Sequence, residues 1–539
     1  MKKNMRQSWM KKMLKAVLVT AVTVSMAACG GGGGSSDGDS QAETAEAPAD
    51  GVSTVYVQLK GDFANFQPST KNQEENVSTR LSYYETLFQW DYNGECTPLL
   101  AESYEWVDGT HIKIKLHENI HTHDGNPVTA NDVLWSLKYA SESPEFMRHT
   151  QNINFDDTEV LDDYTIQIAI NTPNVLFLND LSRIDITAEK SFNDSPDHML
   201  TCGVGTGPYK MVSYTPGVEF VLEKYDDYWN KDAQREDQLQ NVDRIVYKFI
   251  PEEAQRSIEL ESGGVDILTT TPMSDVDRFM EDDNYEVSEF SLTQTQALYF
   301  NCSDQSVCSS KELRQAISYA IDNTAMVAGI YNGHAHPAVS VVMPGVREYK
   351  EEMENTWKYA FNQEKAKELL AEAGYEPGEL TLRLATGDNS SWKSIAQILQ
   401  AELAEIGINV EIQIHDTGTY MSVFSDFSQW DLFVNEYAAK GTIMFYFYNQ
   451  MNNNTRNATG WQNDEFQSLL AEAIQTDDQA AIDQMVEIYE EEIPARPILN
   501  LTRYYTYRKG IENMRIKDDY TMLAGDLTYT DEANSWLYD

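Results

Sequence analysis

The chain alternates hydrophobic and polar residues most regularly over residues 111–117, where Ile112, Ile114 and Leu116 are separated by histidine and lysine. A period of two residues predicts a β-strand. A shorter strand precedes it, and the Asp-Gly pair at 108–109 between them is typical of a tight hairpin turn. The pattern then becomes helical over DVLWSLKYA (132–140), after a capping box that begins at Thr129. This region therefore predicts a hairpin, a turn and a capped helix.

The run HENIH at residues 117–121 spells the zinc-protease signature H-E-x-x-H. On a helix, His117 and His121 would share a face and hold one zinc ion, with Glu118 as general base. The alternation just before the motif predicts instead that HENIH is the tail of the hairpin strand. On a strand the two histidines stand about 13 Å apart, whereas two ligands of one zinc lie within about 4 Å. The pattern thus disfavours zinc proteolysis, and we expect no metal or other cofactor.

Helical and strand patterns alternate in the second half of the chain. A serine-capped helix is predicted near residue 310, because Leu313, Ala316 and Ile317 recur at helical spacing. Further on, GINVEIQI (407–414) alternates as a strand. The alternation continues to Asp431 and predicts an α/β lobe.

The first 28 residues carry six basic residues and no acidic one, and they end in an uncharged run, which is typical of a secretory signal. Met26-Ala27-Ala28-Cys29 resembles a bacterial lipobox, which implies cleavage before Cys29 and a lipid on its sulfur. Ordinary secretion without the lipid is the alternative. Residues 29–50 are rich in Gly, Ser, Ala and acids and predict a flexible tether. The remaining roughly 490 residues suffice for about three domains.

The formal net charge is −46. A field of this sign repels phosphate backbones, so nucleic acid is excluded as a partner, and solubility outside the cell is the simplest reason for the charge. Four cysteines follow Cys29, namely Cys96, Cys202, Cys302 and Cys308. An exported protein can form disulfides, and Cys302 with Cys308 could close a short loop, but sequence alone does not fix the pairing.

The segment LAESYEWVDGTHIKIKLHENIHTHDGNPVTANDVLWSLKYA resembles the most recognisable part of the family 5 extracellular solute-binding proteins, the peptide and nickel receptors of ABC importers. The family's structural turn corresponds to His123-Asp124-Gly125. Further matches follow in the family's order: YYETLFQW (83–90), GTGPYKMVSYTPGVEFVLEKYDDYW (205–229), ELESGGVDI (259–267), YFNCS with KELRQAISYAID (299–322), FNQEKAKELLAEAGY (361–375), ELAEIGINVEI (402–412) and WDLFVNEYA (430–438). Together the matches cover nearly all of residues 51–539.

The resemblance implies an α/β fold of the two-lobed periplasmic-binding-protein type (type II, cluster C-like), with an extra subdomain inserted in lobe one. Lobe one would comprise 51–88, 203–300 and 500–539, the inserted subdomain 89–202, and lobe two 301–499. Ligand would be enclosed in the cleft as the lobes close.

In the peptide-binding members, the segment that matches WDLFVNEYAAKG carries a strand aspartate, an aromatic residue and, three residues later, an aspartate that clamps the peptide's α-amino group. Here these positions hold Asp431, Tyr437 and, in an alignment without gaps, Lys440. A charge pair near 4 Å at an effective dielectric of 20 is worth about 4 kcal/mol, so Lys440 would repel an α-ammonium group. The hypothesis is an anionic, blocked or sugar-like ligand. Alternatively, Lys440 points to solvent beside Glu436 and another acid holds the amine.

Other ligand-binding candidates stand where the family lines its cleft. They are Thr269, Thr270 and Tyr299, together with Phe146, Arg148 and His149 in the inserted subdomain. Aromatic and hydroxyl side chains suit a cleft that binds a flexible solute, although core or surface duty is an equal alternative for each.

The resulting interpretation is a monomeric substrate-binding lipoprotein on the extracytoplasmic face of the bacterial cell membrane. It would capture an oligopeptide-like or related solute and deliver it to an ABC permease with its ATPase. It would catalyse no reaction. The same fold could also serve a sensory or signalling receptor, and the sequence names neither the solute nor the permease.

Overall fold

The largest element of the described structure is a mixed β-sheet that runs through both halves of the protein. The computed structural model describes residues 52–63, 65–70, 74–231, 236–454, 456–517 and 521–530, so the signal, the tether and Cys29 lie outside the described residues. Within these ranges the sheet has eleven strands, ten of which lie edge to edge in the order Tyr209–Thr215, Glu219–Lys224, Arg244–Phe249, Thr54–Leu59, Ile267–Leu268, Ala495–Arg508, Tyr285–Phe300, Leu432–Ala438, Thr381–Gly387 and Asn409–His415. The eleventh, His336–Pro337, pairs with Ala495–Arg508.

Two long antiparallel strands in the middle of the sheet, Tyr285–Phe300 and Ala495–Arg508, join its two halves. Their ladder is irregular between Ser291 and Thr295, and from Gln294 onward the first strand also pairs with Leu432–Ala438. The opposite end of the second strand pairs with Ile267–Leu268. Each long strand therefore belongs to both halves, and we call the two the crossing strands.

The first half of the sheet is built around Thr54–Leu59, which pairs in parallel with strands on both sides. Five of its six residues are buried, as expected for a parallel strand covered on both faces. Short helices accompany this half: Glu74–Arg80, Glu253–Glu261, Val276–Met280 and the 3₁₀ turn Ala524–Asp526. Ile511–Glu512 pairs with Thr528–Tyr529 near the end of the chain.

Residues 85–194 contain a separate four-stranded antiparallel sheet, in the order Ala101–Trp106, His111–Leu116, Thr165–Ile170 and Ile153–Asp162. Ile112, Ile114 and Leu116 are buried, as their alternation predicts, against the helix Ala130–Glu142. The predicted capping box is present, since Asp132 accepts the backbone N–H of Thr129 at 2.8 Å. Shorter elements complete this part: helices Met147–Thr150, Phe177–Leu181 and Glu189–Asp194, and the strand pairs Glu85–Thr86 with Asp185–Ile186 and Phe88–Trp90 with Cys96–Pro98.

Helices and strands alternate in the second half, as the sequence predicts. The helix Lys311–Tyr319 begins after Ser310, whose hydroxyl accepts the N–H of Leu313, and it buries Leu313, Ala316 and Ile317. The other elements are the 3₁₀ turn Val307–Ser309, the helices Asn323–Tyr331, Met353–Thr356, Gln363–Glu372, Ser390–Glu405, Thr417–Phe424, Ile443–Gln450, Asp464–Thr476 and Gln479–Glu492, and the strand pair Met451–Asn452 with Arg456–Asn457.

HENIH is not the tail of the hairpin strand, and that prediction is corrected. The strand ends at Leu116, and the next residues turn, with Asn119 in the left-handed region at φ 66°. The segment is not helical either, so the geometry required for a zinc-protease site is absent from it. The ring of His117 instead packs on Trp229 at 5.1 Å, and the ring of His121 lies 6.0 Å from Tyr225.

No disulfide joins any of the described cysteines, Cys96, Cys202, Cys302 and Cys308, so the short loop between Cys302 and Cys308 is not closed by a bridge. Over the described ranges, no helix has both the length and the apolar character needed to cross a membrane.

Candidate ligand-binding site

A cavity of about 700 Å³ lies where the 148–183 region meets the second half of the large sheet. Its volume falls within the range of roughly 300–1,000 Å³ that is usual for small-ligand sites. One wall comes from residues 148–183, and the facing wall comes from residues 436–456. The crossing strand contributes Gln294. The cavity is therefore assembled from segments far apart in the sequence.

Tyr437, a predicted ligand-binding residue, lines the cavity. Its hydroxyl donates to the carbonyl of Val341 at 2.9 Å, and its ring stacks on Tyr446 at 4.1 Å. The strand that carries it starts after Asp431, which accepts from Arg383 Nε at 2.9 Å and from Ser306 at 2.8 Å. These contacts hold Tyr437, which is buried, in a fixed position, and its role in ligand binding stays a prediction.

Lys440 also lies in the wall of the cavity, directly after this strand. The residue is only 8% exposed, so it does not extend into solvent on the outer surface. Glu436 lines the same cavity. The next residue, Gly441, has a φ of 67°, and a Cβ there would lie 2.6 Å from the Trp90 ring. Only glycine fits this close approach, which fixes the direction of the chain as it leaves Lys440.

The charged side chains of the wall are mainly cationic. Arg148, Arg183, Lys440 and Arg456 face the cavity together with the carboxylates of Asp180 and Glu436. This excess of positive charge occurs in a chain whose formal net charge is −46. The cavity therefore has the opposite sign to the rest of the protein.

A chain of hydrogen bonds links three residues of the 148–183 wall. Arg148 Nε donates to His149 Nε2 at 3.1 Å, and His149 Nδ1 lies 2.8 Å from Asp180 Oδ1. Because arginine can only donate, Nε2 of His149 accepts, and the imidazole proton is on Nδ1. Burial lowers the pKa of His149 and raises the pKa of Asp180, while the contact between the two groups opposes both shifts.

Four predicted site residues do not line this cavity, and their role in ligand binding stays a prediction. Thr269 donates to the carbonyl of Gln58 at 2.8 Å, and the hydroxyl of Thr270 lies 3.3 Å from the Gln58 side chain. Phe146 is fully buried in the hydrophobic core of the 85–194 region, so its neighbours Arg148 and His149 are the ones that reach the cavity. Tyr299 is also fully buried, and it supports the wall by donating to Gln450 at 3.0 Å.

Sequence reasoning missed several wall residues: Asp180, Arg183, Tyr446, Tyr448 and Arg456. The run FYFYNQMNNNTR (445–456), dense in aromatic and amide side chains, was the one available signal for the last three. Asp180 lies in the short helix Phe177–Leu181 and Arg183 in the turn after it, and no local sequence pattern marks either residue.

Contacts across the cavity hold its two walls together. The backbone N–H of Val175 donates to the carbonyl of Ile474 at 2.9 Å, and Leu176 packs among hydrophobic residues of the second half. Trp90 covers Gly441 at another point. The structure is therefore closed around the cavity.

The fold has two halves joined by a pair of crossing strands, and a polar cavity is enclosed between distant segments. This arrangement is that of a two-lobed solute-binding protein. Residues 95–459 match the family described as "Bacterial extracellular solute-binding proteins, family 5 Middle", and the chain belongs to this family. Its relatives and structural neighbours are substrate-binding proteins, so this is a binding protein and not an enzyme. The zinc-protease alternative is therefore wrong.

Curated relatives include the glutathione-binding protein GsiB of Escherichia coli K12, 27% identical over 372 residues, which are 68% of this chain and 70% of that protein. GsiB of Pectobacterium atrosepticum is 26% identical over 381 residues, 69% of this chain and 71% of the relative. The solved structure of a putative peptide-binding protein AppA from Clostridium difficile superposes with a TM-score of 0.77 at 23% identity, over 89% of this chain and 100% of that one. NikA from Staphylococcus aureus, in complex with Ni(L-His)₂, gives 0.70 at 22% identity, with coverage of 89% and 100%.

Proposed function

We propose that this protein is the substrate-binding lipoprotein of an ABC importer and that it captures a small, peptide-like solute of net negative charge. The observation that carries the proposal is the cationic cavity wall in a family 5 protein of strongly acidic composition. A cavity that opposes the charge of its own protein concentrates anions and disfavours cations. The proposed solute is passed to a membrane permease with its ATPase.

The positive charge of Lys440 in the cavity wall narrows the proposed class of ligand. An α-ammonium group placed near this side chain would meet a like charge in a partly desolvated site, at a cost of about 4 kcal/mol for a 4 Å separation. Peptides whose amino terminus is free and uncompensated are therefore poor ligands. A blocked amino terminus, or extra carboxylates that outweigh the ammonium group, removes the conflict. Glutathione, with two carboxylates and one ammonium group, is a reasonable first probe because two relatives bear its name.

The test has two parts. Native mass spectrometry of freshly purified protein should reveal a retained solute, because a closed cavity releases its ligand slowly. Isothermal titration calorimetry should then show tighter binding of glutathione and of N-acetyl-diglutamate than of trialanine. Equally tight binding of trialanine would contradict the proposed ligand class.

Membrane attachment through Cys29 is proposed on the lipobox resemblance alone. Cells that produce the Cys29→Ser variant should release the protein from the membrane fraction, whereas the wild-type protein should remain there and dissolve only in detergent. Retention of the variant in the membrane fraction would contradict a lipid anchor at this residue.

A further inference from the structure

Building on the proposed function, we propose that Arg148 and Arg456 form a subsite for a carboxylate of the ligand. In this subsite His149 and Asp180 act as positioning residues that hold Arg148 in place. The two arginines come from opposite walls of the cavity. A ligand carboxylate bound between them would therefore connect the two halves of the protein.

The orientation of Arg148 follows from its hydrogen bonds. Its Nε donates to His149, which is 6% exposed and is itself held by Asp180. This leaves the two terminal nitrogens of the guanidinium group at the cavity wall. A guanidinium group fixed through Nε presents a planar pair of donors, which is the arrangement that binds a carboxylate with two parallel hydrogen bonds.

Asp180 is the carboxylate near Arg148, but its Oδ1 already accepts from His149. It therefore acts on Arg148 through the imidazole ring, as a positioning group. Glu145 is a second carboxylate whose charge acts on Arg148.

Arg456 supplies the second positive charge. Its guanidinium lies 5.3 Å from the ring centre of Phe424, a buried aromatic residue of the hydrophobic core in the second half. Both guanidinium groups line the same cavity, so like charges face each other there. Burial is the main cause that lowers the pKa of Arg148; the charge of Asp180 opposes this shift, and the charge of Arg456 adds to it. A carboxylate placed between them would turn this repulsion into two attractions.

The experiment compares one peptide in two forms, N-acetyl-trialanine with a free terminal carboxylate and the same peptide as its terminal amide. We expect the wild-type protein to bind the acid at least tenfold more tightly than the amide by calorimetry. Arg148→Gln and Arg456→Gln should each reduce this ratio to below threefold. Arg148→Lys should retain part of the preference for the acid, because the charge remains while the paired donor geometry of arginine is lost.

The positioning role has its own test. Asp180→Asn should lower the acid-to-amide ratio while Arg148 is still present, and its melting temperature should stay near that of the wild type. Arg278→Gln, which removes an exposed arginine outside the cavity that pairs with Glu261, is the matched control and should leave the ratio unchanged. A ratio that survives both Arg148→Gln and Arg456→Gln would overturn the subsite.

The two proposals fail differently. If native mass spectrometry shows a retained solute but the wild-type protein does not prefer the acid over the amide, the carboxylate subsite is overturned and the importer role stands. If no solute is retained and no probe binds, the proposed function itself fails.

Discussion

Among single residues, Glu402 combines burial with an incomplete set of hydrogen bonds. It accepts the backbone N–H of Asp322 at 3.2 Å, while its Oε2 has no partner in the described part of the chain. Burial is the main cause that raises its pKa from the usual 4.5 to about 7. The folded protein therefore favours the protonated form of Glu402.

A raised pKa in the folded state has a defined effect on stability. The contribution of protonated Glu402 to the free energy of unfolding is fully present below pH 4.5 and is lost as the pH rises through about 7. Glu402→Gln should therefore gain stability relative to the wild type as the pH increases from 4.5 to 8, by about 3 kcal/mol at most. Urea unfolding at several pH values measures this difference. Glu405→Gln, on an exposed position of the same helix, is the control, and parallel curves for wild type and Glu402→Gln would contradict the prediction.

Lys440 offers a second test at the residue scale. Lys440→Asp places an acidic group where the resemblance expects the peptide clamp, so trialanine should bind at least tenfold more tightly and N-acetyl-diglutamate more weakly. The direction follows from the sign of the charge and the magnitude from partial desolvation. Calorimetry with both peptides measures the change, and Lys367→Asp on an exposed helix should alter neither affinity. Unchanged selectivity in Lys440→Asp would contradict contact between this residue and the ligand.

At the scale of elements, two sequence motifs of the family meet in space. The His123 backbone N–H donates to the carbonyl of Gly205 at 2.9 Å, and His123 Nε2 lies 2.9 Å from the carbonyl of Gly207. Burial lowers the pKa of His123 to about 4, so the imidazole is neutral near pH 7 and donates from Nε2. The His-Asp-Gly turn is therefore a docking point for the 205–207 segment.

Gly205 is packed too closely for any side chain. A Cβ at this position would lie 2.1 Å from the carbonyl oxygen of Tyr83. Gly205→Ala should lower the free energy of unfolding by about 1–3 kcal/mol, as overpacked sites do. Gly329→Ala is a matched control, because a helical Cβ there meets nothing within 4 Å and should be neutral or stabilising. Thermal unfolding of both variants measures the contrast, and equal effects would show that the 205–207 segment can shift.

Local elements were predictable because their signals are local. The alternation at Ile112, Ile114 and Leu116, the capping box at Thr129 and the helix after Ser310 all depend on residues within one or two turns of each other. HENIH was mispredicted because its turn depends on a left-handed Asn119, which the alternation pattern does not contain.

The site was predictable only in part, for a related reason. Tyr437 and Lys440 were found because they follow a recognisable strand, and Arg148 because its segment matches the family loosely. Asp180 and Arg456 join the same cavity from positions about 30 and 300 residues away from Arg148, and only the folded chain brings them together. Phe146 was predicted from the same loose match, but its ring fills the hydrophobic core, and its neighbours Arg148 and His149 face the cavity instead.

At the scale of the whole molecule, the closed state depends on contacts between distant segments. Leu176 is 7% exposed because it packs among hydrophobic residues of the second half. Leu176→Asp would place a charge in this contact and favour the open state. On the proposal that the two halves close around the ligand, the affinity for every ligand should fall by a similar factor, about tenfold or more.

Leu176 also lines the cavity, so the ratio of the two affinities is needed to separate a loss of closure from a direct effect on the ligand. Calorimetry with the acid and amide peptides should show both affinities reduced in Leu176→Asp, with their ratio unchanged. Leu161→Asp, at an exposed position in the four-stranded sheet, is the control and should bind as the wild type does. A changed ratio in Leu176→Asp would mean that Leu176 acts on the ligand directly.

The contact between Trp90 and Gly441 gives closure an optical signal. The indole ring is 4% exposed because Gly441 lies against it, so separation of the two segments would bring water to the ring and move its emission to longer wavelength. Addition of a ligand to the solute-free protein should shift the tryptophan fluorescence to shorter wavelength, and Trp90→Phe should remove most of that shift. If the shift persists in Trp90→Phe, another tryptophan senses the ligand. The close approach that admits only glycine at position 441 thus supplies an intrinsic fluorescent reporter, with which solutes can be screened without a label.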